Sequence, residues 1–441
     1  MSGSKSVFGD FLKYVSLNIL GQMAYSCYTL ADTFFVSASL GTDGLTALNL
    51  AFPVFCLMNG TGLMIGMGGA TNYAIAKSRG EAAKANQIFT NAVYMVICLA
   101  VLYVAAGLFW SDRLVTLLGA DSRLFSPTNT YLKVMLLFAP AFLTNTLLQC
   151  FVRNDGQPSL SMAAMIIGSI SNILLDYLFI FPLRLGILGA ILATGLSPLI
   201  SIGILSPYFV KKKNGFHFLK SAPNIQKVPV IIASGIPPFI TELSSGIVMF
   251  LFNFIILKLE GNTGVAAFGV ISVISLVVTA IYTGLSQGIQ PLLSIHHGTG
   301  NKRGLRSTRK YALITELLLS CIIYTVIFFG APLFVSVFNS ENNETLQMLA
   351  VTGLKLYFFA CPFIGFNIVT ATYFASTEHT RPAQALSLLR GLFVLVPLAF
   401  LLSALWKMTG VWLAYPATEG LVAVMGAGLL ILIEKFQRVS E

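Results

Sequence analysis

The sequence predicts an all-α membrane protein of twelve transmembrane helices arranged as two six-helix lobes, and three observations predict it. Of 441 residues, 56% are hydrophobic and only 10% are charged, whereas a soluble domain carries about 25% charged residues. The apolar surplus runs the whole length of the chain, in twelve segments that each reach the roughly 20 residues needed to cross the hydrocarbon. The longest internal polar stretch, KKKNGFHFLKSAPNIQKVP (211–229), divides those segments six and six.

The first six spans cover 10–41, 45–76, 86–111, 128–152, 159–182 and 187–210. The second six cover 228–257, 264–296, 309–338, 346–376, 384–405 and 409–434. Spans longer than a straight crossing must tilt, kink or project beyond the bilayer. The basic residues orient the stack: with both termini cytoplasmic, 20 of the 27 Lys and Arg lie on the cytoplasmic side. That set runs from Lys5 to Arg438 and includes Arg153 and Arg390. The positive-inside rule therefore places both ends in the cytoplasm.

Internal similarity supports three regions: an N-lobe (1–210), a cytoplasmic linker (211–227) and a C-lobe (228–441). GMGGATNYAIAKSRG (66–80) and GLSQGIQPLLSIHHG (284–298) share end glycines at an offset of 218. GLTALNLAFPV (44–54) answers GVAAFGVISVI (264–274), GAILAT (189–194) answers GVWLAY (410–415), and Pro158 pairs with Pro382. Six spans per half is an even number, so the halves insert with one orientation as parallel repeats, an arrangement common in carriers.

Several function classes fall away. The net charge of +10 has no soluble domain through which to bind nucleic acid. The six cysteines lie in apolar segments without CxxC spacing or a His cluster, so they read as inert buried thiols and not as a metal or disulfide framework. His296 and His297 begin a basic loop and read as solvated polar residues. The first apolar stretch is too long for a signal-peptide h-region and lacks a cleavage site. No HExxH or nucleophile elbow suggests an enzyme.

Five of the seventeen acidic residues lie inside spans: Asp32, Asp176, Glu242, Glu316 and Glu419. An intramembrane carboxylate is costly unless it meets a partner, water or an ion, so each is a candidate. In SNILLDYLFIFPL (171–183), Asn172 and Asp176 share one face of the fifth helix. At about 1.5 Å per residue, Asp176 lies roughly 25 Å from the start of its span and Asp32 roughly 33 Å from its own. Thr194 lies about 10 Å below the outer end of the sixth helix. Two carboxylates, an amide and a hydroxyl at similar depth suit a hard monovalent cation, or a proton shared by two acids. Helix gluing by Asp176, Asn172 and Thr194 alone is the plainer alternative.

Glu242 follows the Pro237–Pro238 pair, where freed backbone groups can open onto a cavity. Glu419 lies mid-span in YPATEGL, and Gln149, Asn253 and Gln287 are further in-span candidates for a cavity lining. Glu316, beyond the basic stretch RSTRKYA, is expected to snorkel into a salt bridge. A few of the 34 Phe and 15 Tyr in such a cavity would favour flat cations by stacking and cation–π attraction.

The chain resembles the multidrug and toxic compound extrusion (MATE) family of the MOP superfamily, and most of all its MepA-like bacterial branch. The resemblance is carried in order by LADTFFVSASLGTDGLTALNLAFP (30–53), GGATNYAIAKSRGE (68–81), VRNDGQPSLSM (152–162), SNILLDYLFI (171–180), GILGAILAT (186–194), TELSSGIVMFLFN (241–253) and GLSQGIQPLLSIHHG (284–298). It implies a V-shaped pair of lobes around a central cavity that exports cationic, often aromatic, drugs against Na⁺ or H⁺. It places the coupling ion at Asp32, Asn172, Asp176 and Thr194, and a transport acid at Glu242. Two departures stand out: residues 10–41 hold no proline of the kind linked to a pH-dependent bend, and the tenth span offers only Asn367 where relatives have an Asp.

The expected protein is thus a monomeric antiporter of the bacterial plasma membrane. It uses no cofactor beyond its coupling ion, and its partners are drug-like cations and membrane lipid, with no nucleic acid. A flippase for a lipid-linked saccharide, which would need a cationic cavity, is the alternative. A channel is a further rival.

Overall fold

The computed structural model describes residues 7–220, 222–339 and 343–439, and among them no strand occurs. Lys5, one of the cations used to orient the chain, lies outside them. The first half comprises α1 (Val7–Ser78), α2 (Ala82–Phe109), the short α3 (Ser111–Leu117), α4 (Phe125–Leu137), α5 (Ala139–Asn154), α6 (Pro158–Ile180) and α7 (Gly186–Val210). The second comprises α8 (Val228–Gly298), α9 (Lys302–Phe338), α10 (Glu344–Tyr357), α11 (Cys361–Ser376), α12 (Thr380–Leu388) and α13 (Leu395–Val439).

At 72 residues, a straight α1 would run about 108 Å, more than three times the hydrocarbon thickness. It breaks at Gly41 (φ 62°, ψ −147°). The 71-residue α8 breaks the same way at Gly261 (φ 60°, ψ −149°), and α13 breaks at Trp406 and Lys407. Glycine enters the left-handed region without the Cβ clash other residues suffer, so the two long segments turn at matching places. Among the described residues, eight stretches are long and apolar enough to cross a membrane, nine if the pair α4 and α5, bent by 49°, counts as one. Two of the eight, 225–298 and 380–433, contain one of these breaks. Pro140 explains the bend between α4 and α5. It sits in the first turn of α5, where it lacks an N–H and disfavours helix in the residue before it.

Backbone conformation also corrects the internal register. Gly41 and Gly261, and the left-handed Gly80 and Gly300, pair at an offset of 220 rather than 218. Pro158 opens α6, whereas Pro382 is the third residue of α12, so those prolines do not correspond.

The halves are not loosely tethered. α1 and α8 pack along each other through glycines: a Cβ on Gly284 would lie 2.6 Å from Ile19 Cα, and one on Gly288 2.7 Å from Val15 Cα. These contacts lie toward the end of the bundle that holds residues 78, 155, 298 and 378, called here the linker end. The linker itself folds back on the first half. Phe216 is buried against Tyr73, Phe89 and Phe151, and the amides of His217, Leu219 and Asn224 donate to Asn86, Thr90 and Asn91.

Candidate functional site

In the first half, α1 brings Asp32 beside Asp176 of α6. Asp176 and Asn172 are fully buried, and Asp32 and Thr194 nearly so. With its amide oriented to satisfy both ends, Asn172 donates to Asp176 Oδ2 (2.9 Å) and accepts from the Thr194 backbone N–H (3.2 Å). The two carboxylates lie in one another's field, and among the described residues no Lys or Arg is paired with either. Oδ1 of Asp32 and Oδ1 of Asp176 are both buried without a hydrogen-bond partner. Unpaired buried oxygens of this kind cost several kcal/mol, about what a cation or proton arriving there would recover.

A cleft between the halves is lined by Leu63, Met67 and Thr71 of α1 and by residues of α8, α11 and the α12 region. Glu242 projects into it, and Gln287 lies on its wall. Glu242 accepts from Asn59 Nδ2 at 3.1 Å. Gln149, Asn253 and Glu419 do not line this cleft. Gln149 instead donates to Asn145 one turn earlier (3.0 Å). Among the described residues the lining of this cleft contains no aromatic ring, so the expected stacking surface is not found on it. The rings spend their area on packing, as in the cluster around Phe216.

Two tyrosines that sequence reasoning passed over connect the regions. Tyr25 and Tyr28 of α1 meet edge to face at 4.9 Å. Tyr25 lies in the field of Glu242, and Tyr28 in that of Asp32 and Asp176. Their spacing from Asp32, one and two turns back along the same helix, was the available signal.

In the second half, Glu419 is fully buried and fully engaged. Arg390 donates to its Oε1 through Nε (3.1 Å) and Nη2 (2.8 Å), and Asn367 donates to Oε2 (2.7 Å). Arg390, within the expected span 384–405, was counted among the cations of the cytoplasmic side. A π-turn over Leu389–Phe393 instead presents it inside the bundle, at the cleft wall. Such one-turn widenings are frequent at functional sites. Glu316 also departs from expectation: it makes no salt bridge among the described residues, is buried, and accepts from Ser320 Oγ (3.2 Å). Gly365 makes room for it, since a Cβ there would lie 2.6 Å from Glu316 Oε1.

At the floor of the cleft and from there toward the linker end, polar groups join the halves in tiers. Arg153 donates to Gln287 Oε1 (2.7 Å), Asn154 and Gln290 exchange amide hydrogen bonds (2.9 and 3.0 Å), and Gln290 donates to Thr71 (2.9 Å). Asn72 donates to Ser234 (3.0 Å). At the end itself, Arg79 of the first half pairs with Glu378 of the second (2.5 Å), which His297 also contacts (2.9 Å). His297 and Arg79 together hold the Glu378 carboxyl down at about 2. Asp155 pairs with Lys77 and accepts from Tyr73, Tyr208 and the Gly215 N–H. Burial would raise its carboxyl, but these donors hold it below the ordinary value.

Comparison with known proteins gives a consistent picture. The MatE family model matches residues 18–178 and 237–401. The multidrug export protein MepA of Staphylococcus saprophyticus is 24% identical over 97% of this chain and 94% of its own. MepA of Staphylococcus aureus strain MRSA252 is 25% identical over 97% and 93%. The structure also superposes on an outward-facing multidrug resistance MATE transporter of the MOP superfamily (TM-score 0.91, 22% identity, 98% and 97% covered). A Pyrococcus furiosus MOP superfamily transporter, described as having a binding pocket of reverse polarity, aligns at TM-score 0.88 with 23% identity over 97% of each chain.

Proposed function

Because the chain belongs to the MatE family, we propose that it is a multidrug efflux antiporter, which exports organic cations in exchange for Na⁺ or H⁺ by alternating access. The distribution of Lys and Arg supports a cytoplasmic linker end and the MepA relatives support a bacterial membrane; our reading places the chain in the plasma membrane as a monomer. The observation that carries the coupling is the pair of orphaned oxygens on Asp32 and Asp176.

Glu242 takes the organic cation in the cleft. Its only described partner is the neutral Asn59 amide, whereas Arg390, the one cation on the lining, is neutralised by Glu419. Among the described lining residues the uncompensated charge is therefore negative, which supports a drug cation over the pyrophosphate of a lipid-linked saccharide. An ion entering between Asp32 and Asp176 is held by their Oδ1 atoms, while Asn172 and Thr194 fix the Asp176 carboxylate. Neutralising that pair alters the field at Tyr28, and through Tyr25 at Glu242, so that drug and ion compete.

The test is efflux of an aromatic cation from proteoliposomes under separately imposed Na⁺ and proton gradients. Asp176→Asn keeps the side-chain volume and should reduce coupled efflux to background while leaving the protein folded. Efflux at the wild-type rate in that variant would refute the coupling site. A Na⁺ gradient that drives export without a proton gradient would identify the ion.

A further inference from the structure

We propose that Arg153 is the cation barrier of the closed linker end, a fixed positive charge that keeps inorganic cations from leaking through the seal beneath the cleft. Sequence reasoning counted it among the cations of the cytoplasmic side. It is instead 1% exposed at the last turn of α5, inside the seam between the halves. Nη1 donates to Asn18 Oδ1 (3.1 Å) and to Gln287 Oε1 (2.7 Å). Nη2 faces Met67 Sδ (3.3 Å) and Cys150 Sγ (3.6 Å), and Nε has no partner.

Every one of those partners is neutral. Asp155, two residues on, is turned to Lys77, Tyr73, Tyr208 and the Gly215 amide. Among the described residues no ion pair includes Arg153. A guanidinium cannot shed its proton in a protein, so its charge stands uncancelled. Its location follows from two of its partners: Met67 and Gln287 are cleft-lining residues, and Arg153 touches both from behind.

The seal needs such a charge because it is polar. Amides and hydroxyls can be rehydrated when the halves part, so a seam built of Asn154, Gln290, Thr71, Asn72 and Ser234 opens at lower cost than a greasy one. The same groups would pass water, Na⁺ or protons whenever the seam breathes. A single positive charge in a narrow polar constriction excludes cations, as in other selective pores. A carboxylate partner would stabilise the arginine and cancel the barrier, which accounts for its neutral surroundings.

The proposal rests on the antiport reading for its purpose, but its test needs no drug. Passive Na⁺ and proton entry is measured in drug-free proteoliposomes under an inside-negative potential. Arg153→Gln should raise the leak about tenfold, as a barrier lowered by about 1.4 kcal/mol would, and Arg153→Lys should stay tight. Asn18→Asp leaves Arg153 in place and sets an ionised carboxylate beside it, so it too should leak, and it decides the matter if Arg153→Gln fails to fold. A tight Asn18→Asp, or a leaking Arg153→Lys, overturns the proposal. Wild-type protein that fails to exchange drug for cation while the leak pattern holds would refute antiport and leave the barrier standing.

Discussion

Glu378 adopts a left-handed backbone (φ 63°) in the turn before α12, where the first half places Gly156 (φ 95°) in the turn before α6. A non-glycine residue pays about 1–2 kcal/mol for that conformation. The carboxylate it displays meets Arg79 across the seam and His297 within its own half, which offsets that strain at the linker end. The pH dependence has a definite sign. A carboxylate held at about 2, against 4.5 ordinarily, contributes fully above 4.5 and loses that contribution as pH falls toward 2. Thermal unfolding of the wild type and of Glu378→Gln should therefore converge over that interval. A difference that widens on acidification would contradict the pairing.

At the scale of the element, the breaks in α1 and α8 are the same device used twice. A Cβ on Gly41 or Gly261 would meet nothing within 4 Å, so substitution there tests backbone strain without confounding collisions. Gly41→Ala and Gly261→Ala should each destabilise by about 1–2 kcal/mol, and together they should be nearly additive because the sites share no partner. Thermal denaturation checks both statements, and a neutral effect at either glycine would exclude a required left-handed turn. The π-turn at Leu389–Phe393 is a different kind of element: apart from Gly391 its residues have ordinary helical preferences, so packing around Glu419 is what reveals why Arg390 turns inward.

Across the whole molecule, the halves meet tightly at the linker end, where glycines let α1 and α8 approach and polar tiers join them. A methyl group on Gly288 would lie 2.7 Å from Val15 Cα, and overpacking of that kind costs about 1–3 kcal/mol. Gly288→Ala should therefore shift the population toward an open linker end. Labelling of a cysteine introduced at Asn72, buried in the seam beside Arg79 and Glu378, in a background free of native cysteines, should rise several-fold with a membrane-impermeant thiol reagent added at the linker end. Unchanged labelling would show that the seam tolerates the methyl group and does not set the conformational balance.

Much of this could be read from the chain alone, because a bilayer enforces simple rules. Apolar length reports helices, and an acid in an apolar helix must have a reason to be there, so Asp32, Asp176 and Glu242 stood out singly. The spacing of Asn172 and Asp176 on one helix face needs no tertiary information. The burial and partners of Arg153, Arg390 and Glu316 were not legible, since hydropathy assigns a residue to a side of the membrane but not to a partner. The orphaned oxygens, the make-up of the cleft lining and the linker-end seam likewise depend on which helix faces meet. Periodicity and composition determined which segments enter the membrane and which acids pay to be there; helix packing alone decided what each charge faces, because in a low-dielectric interior a charge is defined by its nearest neighbours.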